Sequence, residues 1–162
     1  MILLKIGSST DIKGKSPLEA YKDCIAIKEM MFSVGRYIEH TSAQAQRQTN
    51  IAYNSELVLV KDSDMSSPYL WLESIKGVAH DYAYLYIFQT AGQGDDAVPF
   101  LTLQMQGAII SQYSARSRDA RPEEHFQINF TGMKYDYVDF DGEKTKTSVG
   151  TSWNFWKHVE KL

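Results

Sequence analysis

The sequence is short of features that mark several common classes of protein. It has one cysteine, Cys24, among 162 residues and so can form no disulfide within the chain. We therefore expect a reducing compartment during folding, and Cys24 as a small buried side chain. No apolar run approaches the roughly 20 residues that a membrane-spanning helix needs, and the first residues have neither the charged leader nor the cleavage site of a secretory signal. The sequence predicts no membrane insertion and no signal peptide.

An excess of basic charge is also absent. Lysine and arginine number 17 against 20 acidic residues, and the two signs are interspersed along the chain. A nucleic-acid-binding face needs clustered basic side chains to neutralise phosphates, so we expect no nucleic-acid partner. The hydrophobic share of 43% is ordinary for a folded chain, and the length fits one domain over residues 1–162.

Catalytic and metal-binding motifs are missing as well. No GxSxG or P-loop motif occurs, and the histidines stand far apart, outside HxH or HExxH patterns. The segment 92–94 (GQG) precedes no helical pattern and is read as a hairpin turn. Asp62 and Asp64, like Asp95 and Asp96, fall in polar turns where carboxylates stay solvated. We expect no catalytic residue, no metal and no cofactor. The histidines are His40, His80, His125 and His158.

What the sequence does contain is strand patterning. Apolar and polar residues alternate in successive segments that are separated by turn residues. The pattern predicts a mainly β protein, an antiparallel β-barrel of about seven or eight strands, with a sandwich as the related alternative. The predicted strands cover residues 2–7, 24–38, 51–61, 82–88, 98–114, 124–137 and 149–159. Within 24–38 the run Met30-Met31-Phe32 interrupts the alternation, which indicates a bulge or a strand buried on both faces.

One short α-helix is predicted over about residues 68–76. Ser67 fits the N-cap and Pro68 the first helical position, where its missing N–H is harmless. Gly77 fits the left-handed C-terminal position. Apolar residues at helical spacing predict one face packed against the sheet. That face consists of Pro68, Trp71, Leu72 and Ile75.

Two further segments invite functional interpretations. Residues 40–50 (HTSAQAQRQTN) are polar, which predicts an exposed and functional loop. Tyr82, Tyr84 and Tyr86 recur at a period of two and form an aromatic face on one strand. That face packs against the helix or a neighbouring subunit, or it lines the pocket of a monomeric small-ligand-binding barrel.

Several segments, in their order along the chain, resemble the haemolysin co-regulated protein (Hcp) family of type VI secretion systems. The central segment 56–71 (ELVLVKDSDMSSPYLW) joins a strand to a Ser-Ser-Pro helix start. Together the matching segments extend over nearly the whole chain. The others are residues 11–14 (DIKG), 25–27 (IAI), 32–35 (FSVG), 110–113 (ISQY), 120–137 (ARPEEHFQINFTGMKYDY) and 152–153 (SW).

The resemblance implies a non-catalytic β-barrel that forms a homo-hexameric ring, and rings that stack into a tube inside a contractile sheath. The tube is expelled with a spike from the bacterial cytoplasm, and effector proteins are carried and protected in its lumen. On this resemblance Ser33 is a lumen and cargo contact. The loop after the second strand contacts the next ring, although here it lacks the glycines and serine-rich run often found in the family. Its candidate residues are Gln44, Gln46, Arg47 and Gln48. No fused toxin domain is expected after the barrel.

Overall fold

The fold is seen in a computed structural model that describes residues 1–7, 12–40, 47–89, 98–118, 121–141 and 144–161. Eleven strands and one α-helix are defined in these residues, with one short 3-10 helix at Glu19–Tyr21. They follow the chain as β1 (Ile2–Ile6), β2 (Ile25–Ile27), β3 (Glu29–Met31), β4 (Val34–His40), β5 (Arg47–Asn54), β6 (Leu57–Asp62), α1 (Ser67–Lys76), β7 (His80–Ile87), β8 (Leu101–Arg116), β9 (Glu123–Asn129), β10 (Gly132–Asp141) and β11 (Lys144–Asn154).

Nine strands form one antiparallel sheet, in which the paired order is β2-β1-β7-β8-β9-β6-β3. β10 joins on β8 and pairs with β11. The mainly antiparallel β fold is therefore confirmed. The hydrogen-bonded path is open rather than a closed ring, because β2 and β3 do not pair with each other. β2 and β3, the two ends of the path, follow each other within residues 25–31. This segment therefore pairs with β1 at its beginning and with β6 at its end.

The strand count exceeds the prediction because an interruption of the alternation does not tell whether a strand bulges or ends. Residues 24–38, expected as one strand, are divided into β2, β3 and β4. Residues 124–137 are divided into β9 and β10 by a bend at Phe130 and Thr131. The last strand ends at Asn154, not near Val159, because residues 155–158 form a turn.

The core lies between the inward faces of these strands. It is built by the alternating positions of the strand pattern, and its side chains are almost fully buried. Its central members include Leu4, Ile25, Leu57, Leu59, Leu85, Leu103, Met105, Phe126 and Ile128. Cys24 is buried in a smaller cluster with Leu3 and Phe88, as expected for a cysteine acting as a small hydrophobic residue.

The helix lies at the predicted position, but the side that it buries is not the predicted one. It spans Ser67–Lys76 and ends at Gly77 with φ +62°. Its N-cap is Ser66 rather than Ser67, and Pro68 is therefore the second helical residue. Leu70 is the buried apolar residue of the helix, whereas Trp71 and Ile75 are 53% and 64% exposed. The side of α1 that contains Leu70 thus faces the protein.

Part of the polar segment 40–50, which was expected to be a loop, lies in strands. His40 ends β4 and Arg47 begins β5, and the two residues pair across an antiparallel hairpin that includes Gln48 opposite Glu39. Backbone hydrogen bonds between two strands satisfy the peptide groups without any apolar side chain, so a polar sequence does not prevent strand formation. Gln44 and Gln46 lie outside the described residues.

Gly107 and Gly77 allow a test of close packing inside the sheet. Both have φ near +60°, but a Cβ on Gly107 would lie 2.9 Å from Thr131 Oγ1, whereas a Cβ on Gly77 would have no neighbour within 4 Å. We expect Gly77→Ala to lower the free energy of unfolding by about 1–2 kcal/mol through backbone strain. Gly107→Ala should lower it further, because Thr131 must also move. Chemical denaturation measures both variants, and equal losses would contradict the crowding at Gly107.

Candidate functional site

A lysine lies buried at the junction of the sheet and the helix. Lys61 occupies an inward position of β6, in line with Leu57 and Leu59, and its side chain has no exposed surface. Its ammonium Nζ lies 2.8 Å from Glu124 Oε2. Glu124 is directly opposite Lys61 in the β6–β9 pair and is itself 1% exposed. A buried charge is tolerated only when it is paired and hydrogen-bonded, and this arrangement supplies both.

The segment between β6 and α1, with the first residue of α1, provides the other oxygen atoms that contact this ammonium group. Lys61 Nζ lies 2.9 Å from Asp64 Oδ1 and 3.1 Å from Ser67 Oγ. Ser67 Oγ also accepts a hydrogen bond from the Asp64 N–H, and Ser63 Oγ donates to Glu124 Oε1. Ser67 therefore does not cap the helix, because its hydroxyl serves the buried lysine. Asp64 is likewise not a solvated turn residue, although Asp62 is exposed and pairs with Lys28.

The electrostatics fix the charge states of this cluster. Burial would raise the pKa of Glu124, but hydrogen bonds from Lys61, Ser63 and Ser67 outweigh it and lower that pKa. Burial, together with a hydrogen bond to Glu124, raises the pKa of Tyr113 to about 12. At neutral pH the glutamate is ionised and the phenol keeps its proton. The cluster consequently joins β6, β9 and α1 as a buried ion pair, rather than offering an exposed acid or base.

The buried cluster orients α1 so that an apolar side of the helix is exposed to solvent. Trp71, Leu72 and Ile75, which we call the helix face, are 53%, 37% and 64% exposed. These residues were predicted to pack on the sheet. Ser67, Leu70 and Glu73 take the inward side instead, and Glu73 Oε2 lies 3.3 Å from His80 Nε2 of β7. Periodicity finds an apolar helix face correctly but does not tell whether the chain itself covers it.

A second apolar surface lies on the β4–β5 hairpin. In the described residues this hairpin pairs with no strand of the large sheet. Tyr37, Ile51 and Tyr53, which we call the hairpin face, are 68%, 67% and 49% exposed, and the two tyrosine rings lie 5.2 Å apart. Gly35 allows this arrangement, since a Cβ there would come within 2.6 Å of the Tyr53 ring.

The tyrosine stripe does not line a single pocket. Tyr82, Tyr84 and Tyr86 lie half-buried along the polar side of β7, with Tyr84 and Tyr86 stacked. A cleft of about 570 Å³ between β1 and the segment 12–24 is bordered by Tyr86 but by neither of the other two tyrosines.

The remaining predicted site residues are placed separately. Ser33 lies exposed between β3 and β4 rather than within a strand, and its N–H donates to Ser55 Oγ. Arg47 and Gln48 belong to β5. In the described part of the chain, no group of three His, Cys, Asp or Glu side chains is arranged to hold a metal ion. Within the same residues, no helix is long and apolar enough to cross a bilayer.

Comparison with known proteins shows which family and which solved structures the chain is similar to. The family model described as "Type VI secretion system effector, Hcp" matches residues 4–137. A solved type six secretion system protein is 20% identical, with 99% of this chain and 98% of that chain covered and a TM-score of 0.88. Hcp1 from Salmonella typhimurium is 18% identical, with coverage of 99% and 97% and a TM-score of 0.75. A type VI secretion system effector from Yersinia pestis is 20% identical, with coverage of 95% and 99% and a TM-score of 0.70.

These identities are low, so the solved structures support the fold, and the family model carries the family assignment. A search of curated proteins gave no match. The two motif segments that contain Lys61 and Glu124 meet in the buried cluster.

The buried pair can be tested against an exposed lysine. Lys61→Met leaves Glu124 charged and unpaired, and we expect it to lower the free energy of unfolding by about 3–5 kcal/mol. Lys28 is about half exposed and pairs with Asp62 and Glu123, so Lys28→Met should cost at most about 1 kcal/mol. Urea denaturation of both variants makes the comparison. Similar losses would show that Lys61 is not in a desolvated site.

Proposed function

The chain belongs to the Hcp family of type VI secretion systems, and from this premise we propose that it is a non-catalytic structural subunit of the secretion tube. In this proposal, 162 residues form one domain, six copies form a ring, and the rings stack. The tube passes through the sheath with the spike and carries or protects effector proteins in its lumen. The protein folds in the bacterial cytoplasm and leaves the cell through the secretion machine.

The observation that carries this proposal is the unsupported β4–β5 hairpin. A two-stranded hairpin is marginally stable in water by itself. This one makes no strand pairs with the large sheet within the described residues, and it exposes Tyr37, Ile51 and Tyr53 together. Clustered apolar side chains of this kind mark interaction sites on soluble proteins. The hairpin face is therefore well suited to be covered by a neighbouring subunit.

The helix face supplies a second, separate apolar surface. A ring in which every subunit contacts the next in the same way is held by two different surfaces of each copy. The hairpin face and the helix face are two such surfaces, on different elements of the fold. We assign both to contacts between copies, and we assign the segment with Gln44, Gln46, Arg47 and Gln48 to contacts between stacked rings.

The monomeric ligand-binding barrel is the competing function. It needs the face of Tyr82, Tyr84 and Tyr86 to form one pocket, whereas only Tyr86 borders the cleft of about 570 Å³. A ring subunit needs no such pocket. The mass of the protein in solution distinguishes the two functions directly.

The hairpin face gives the first test of assembly. Light scattering during size-exclusion chromatography should give a hexamer mass for the wild type. Replacing Tyr37 and Ile51 by Ser should produce monomers, because burial of these side chains stabilises the contact by about 1.5–3 kcal/mol each. Circular dichroism should show an intact fold, since both residues lie outside the core.

Tyr135→Ser is the control, because Tyr135 is also an exposed tyrosine, at 41%, but lies on β10. It should keep the hexamer. A monomeric wild type would refute the ring and favour the ligand-binding barrel. Loss of the hexamer in Tyr135→Ser alone would move the contact to β10.

The cargo proposal is tested at Ser33, which is exposed beside the base of the hairpin. We expect Ser33→Glu to form rings but to lose its effector, because a larger charged group excludes a partner by size and by desolvation. Co-purification of an effector from the same secretion system, compared with wild type, measures this. Full retention of the effector by Ser33→Glu rings would show that Ser33 is not a cargo contact.

A further inference from the structure

Three arginines surround one concavity near the end of β8 and the beginning of β9. Arg116, Arg118 and Arg121 line a cleft of about 400 Å³, and the fourth lining residue is Glu123. The segment 116–121 contains one acidic residue, Asp119, against these three arginines. The chain as a whole has more acidic than basic residues, so this end of β8 differs in charge from the rest of the protein.

The positive charge of this cleft is not balanced within the described residues. None of the three guanidinium groups has a described carboxylate within 4.0 Å. Glu123, the acidic residue of the lining, is already engaged. Its Oε2 lies 3.2 Å from Lys28 Nζ, and its Oε1 lies 3.3 Å from His125 Nε2. The hydrogen bond from Lys28 is the main reason why the pKa of Glu123 is lowered.

The chemistry of the cleft favours carboxylates on a protein. Guanidinium groups bind carboxylates with two parallel hydrogen bonds, and a concave site strengthens their common field. A long polyanion fits less well, because Glu123 lines the cleft, Asp62 lies opposite Glu123 on β6, and the chain is acidic overall. The site therefore suits one or two carboxylates that approach from another protein surface.

We propose that this arginine cleft docks carboxylates of a second copy of the chain, at the opposite end of β8, and so joins copies head to tail. The inference rests on the proposed stacking of copies and adds the residues that hold it. β8 has sixteen residues, or roughly 50 Å of strand at about 3.3 Å per residue. Arg116 is at one end of this strand, opposite Glu123, and Leu101 is at the other, opposite Tyr137.

The carboxylate that we propose as the partner of the arginines lies on the β10–β11 hairpin. β10 continues beyond its last pair with β8, at Tyr137, and reaches Asp141. On this extension Asp139 is exposed and has no described cation within 4.0 Å. Among the described residues, the chain thus presents guanidinium groups without a carboxylate partner at one end of β8, and a carboxylate without a cationic partner at the other. Copies that meet through these two different surfaces form open-ended stacks.

Sedimentation velocity of the full chain at low and high NaCl tests this docking. For wild type we expect that the species present at high salt, whether ring or single chain, associates further at low salt. This association should weaken as the salt concentration rises. Arg118→Glu should weaken it about tenfold, the lower range for close charge pairs across an interface. Lys22→Glu makes the same charge change at an exposed lysine away from the cleft and should leave association unchanged. The double variant Arg118→Glu/Asp139→Arg should restore it by reversing the pair.

Absence of salt-dependent association in wild type would overturn the proposal, as would equal weakening by Arg118→Glu and Lys22→Glu. Failure of the double variant to recover would overturn the pairing with Asp139. The mass of the protein at high salt shows separately whether the chain forms a hexameric ring. A monomer there would refute the proposed hexamer but not the docking, because head-to-tail association of single chains would still depend on salt and on Arg118.

Discussion

The ion pair of Lys61 and Glu124 is the constraint around which the rest of this structure is arranged. Two charges that are 0% and 1% exposed are held 2.8 Å apart on neighbouring strands, so neither can leave its position without exposing the other unpaired. The pair fixes the register of β6 on β9, because the two residues lie directly opposite each other. A slip by one residue would turn the lysine out and bring Asp62 into the core.

The same pair determines how the helix lies. Lys61 requires oxygen ligands beyond Glu124, and the turn 63–67 supplies them through Asp64 and Ser67. Ser67 is the first residue of α1, so satisfying the lysine sets the rotation of the helix about its axis. Leu70 then points into the core, and Trp71 and Ile75 point out. An electrostatic requirement in the interior thereby creates an apolar surface on the exterior.

In the proposed assembly, the exposed surfaces have separate roles. The helix face and the hairpin face are apolar, and the arginine cleft at the end of β8 is charged. Apolar burial is strong but weakly directional, whereas charge complementarity selects partner and orientation. A subunit that joins its neighbours in two directions can use one kind of surface for each.

The sequence by itself determined the antiparallel β class, the position of the helix and the family, because alternation, Pro68 and Gly77, and the order of the motifs are local properties of the chain. Its prediction of buried Cys24 also holds. The tertiary structure alone decided that Lys61 is buried, that Ser67 serves it instead of capping α1, and that Trp71 and Ile75 face outward. The sequence likewise could not show where strands break or that residues 47–50 extend a hairpin. Burial and pairing depend on which distant residue lies opposite, and Lys61 meets a glutamate 63 positions away. No local pattern encodes that contact.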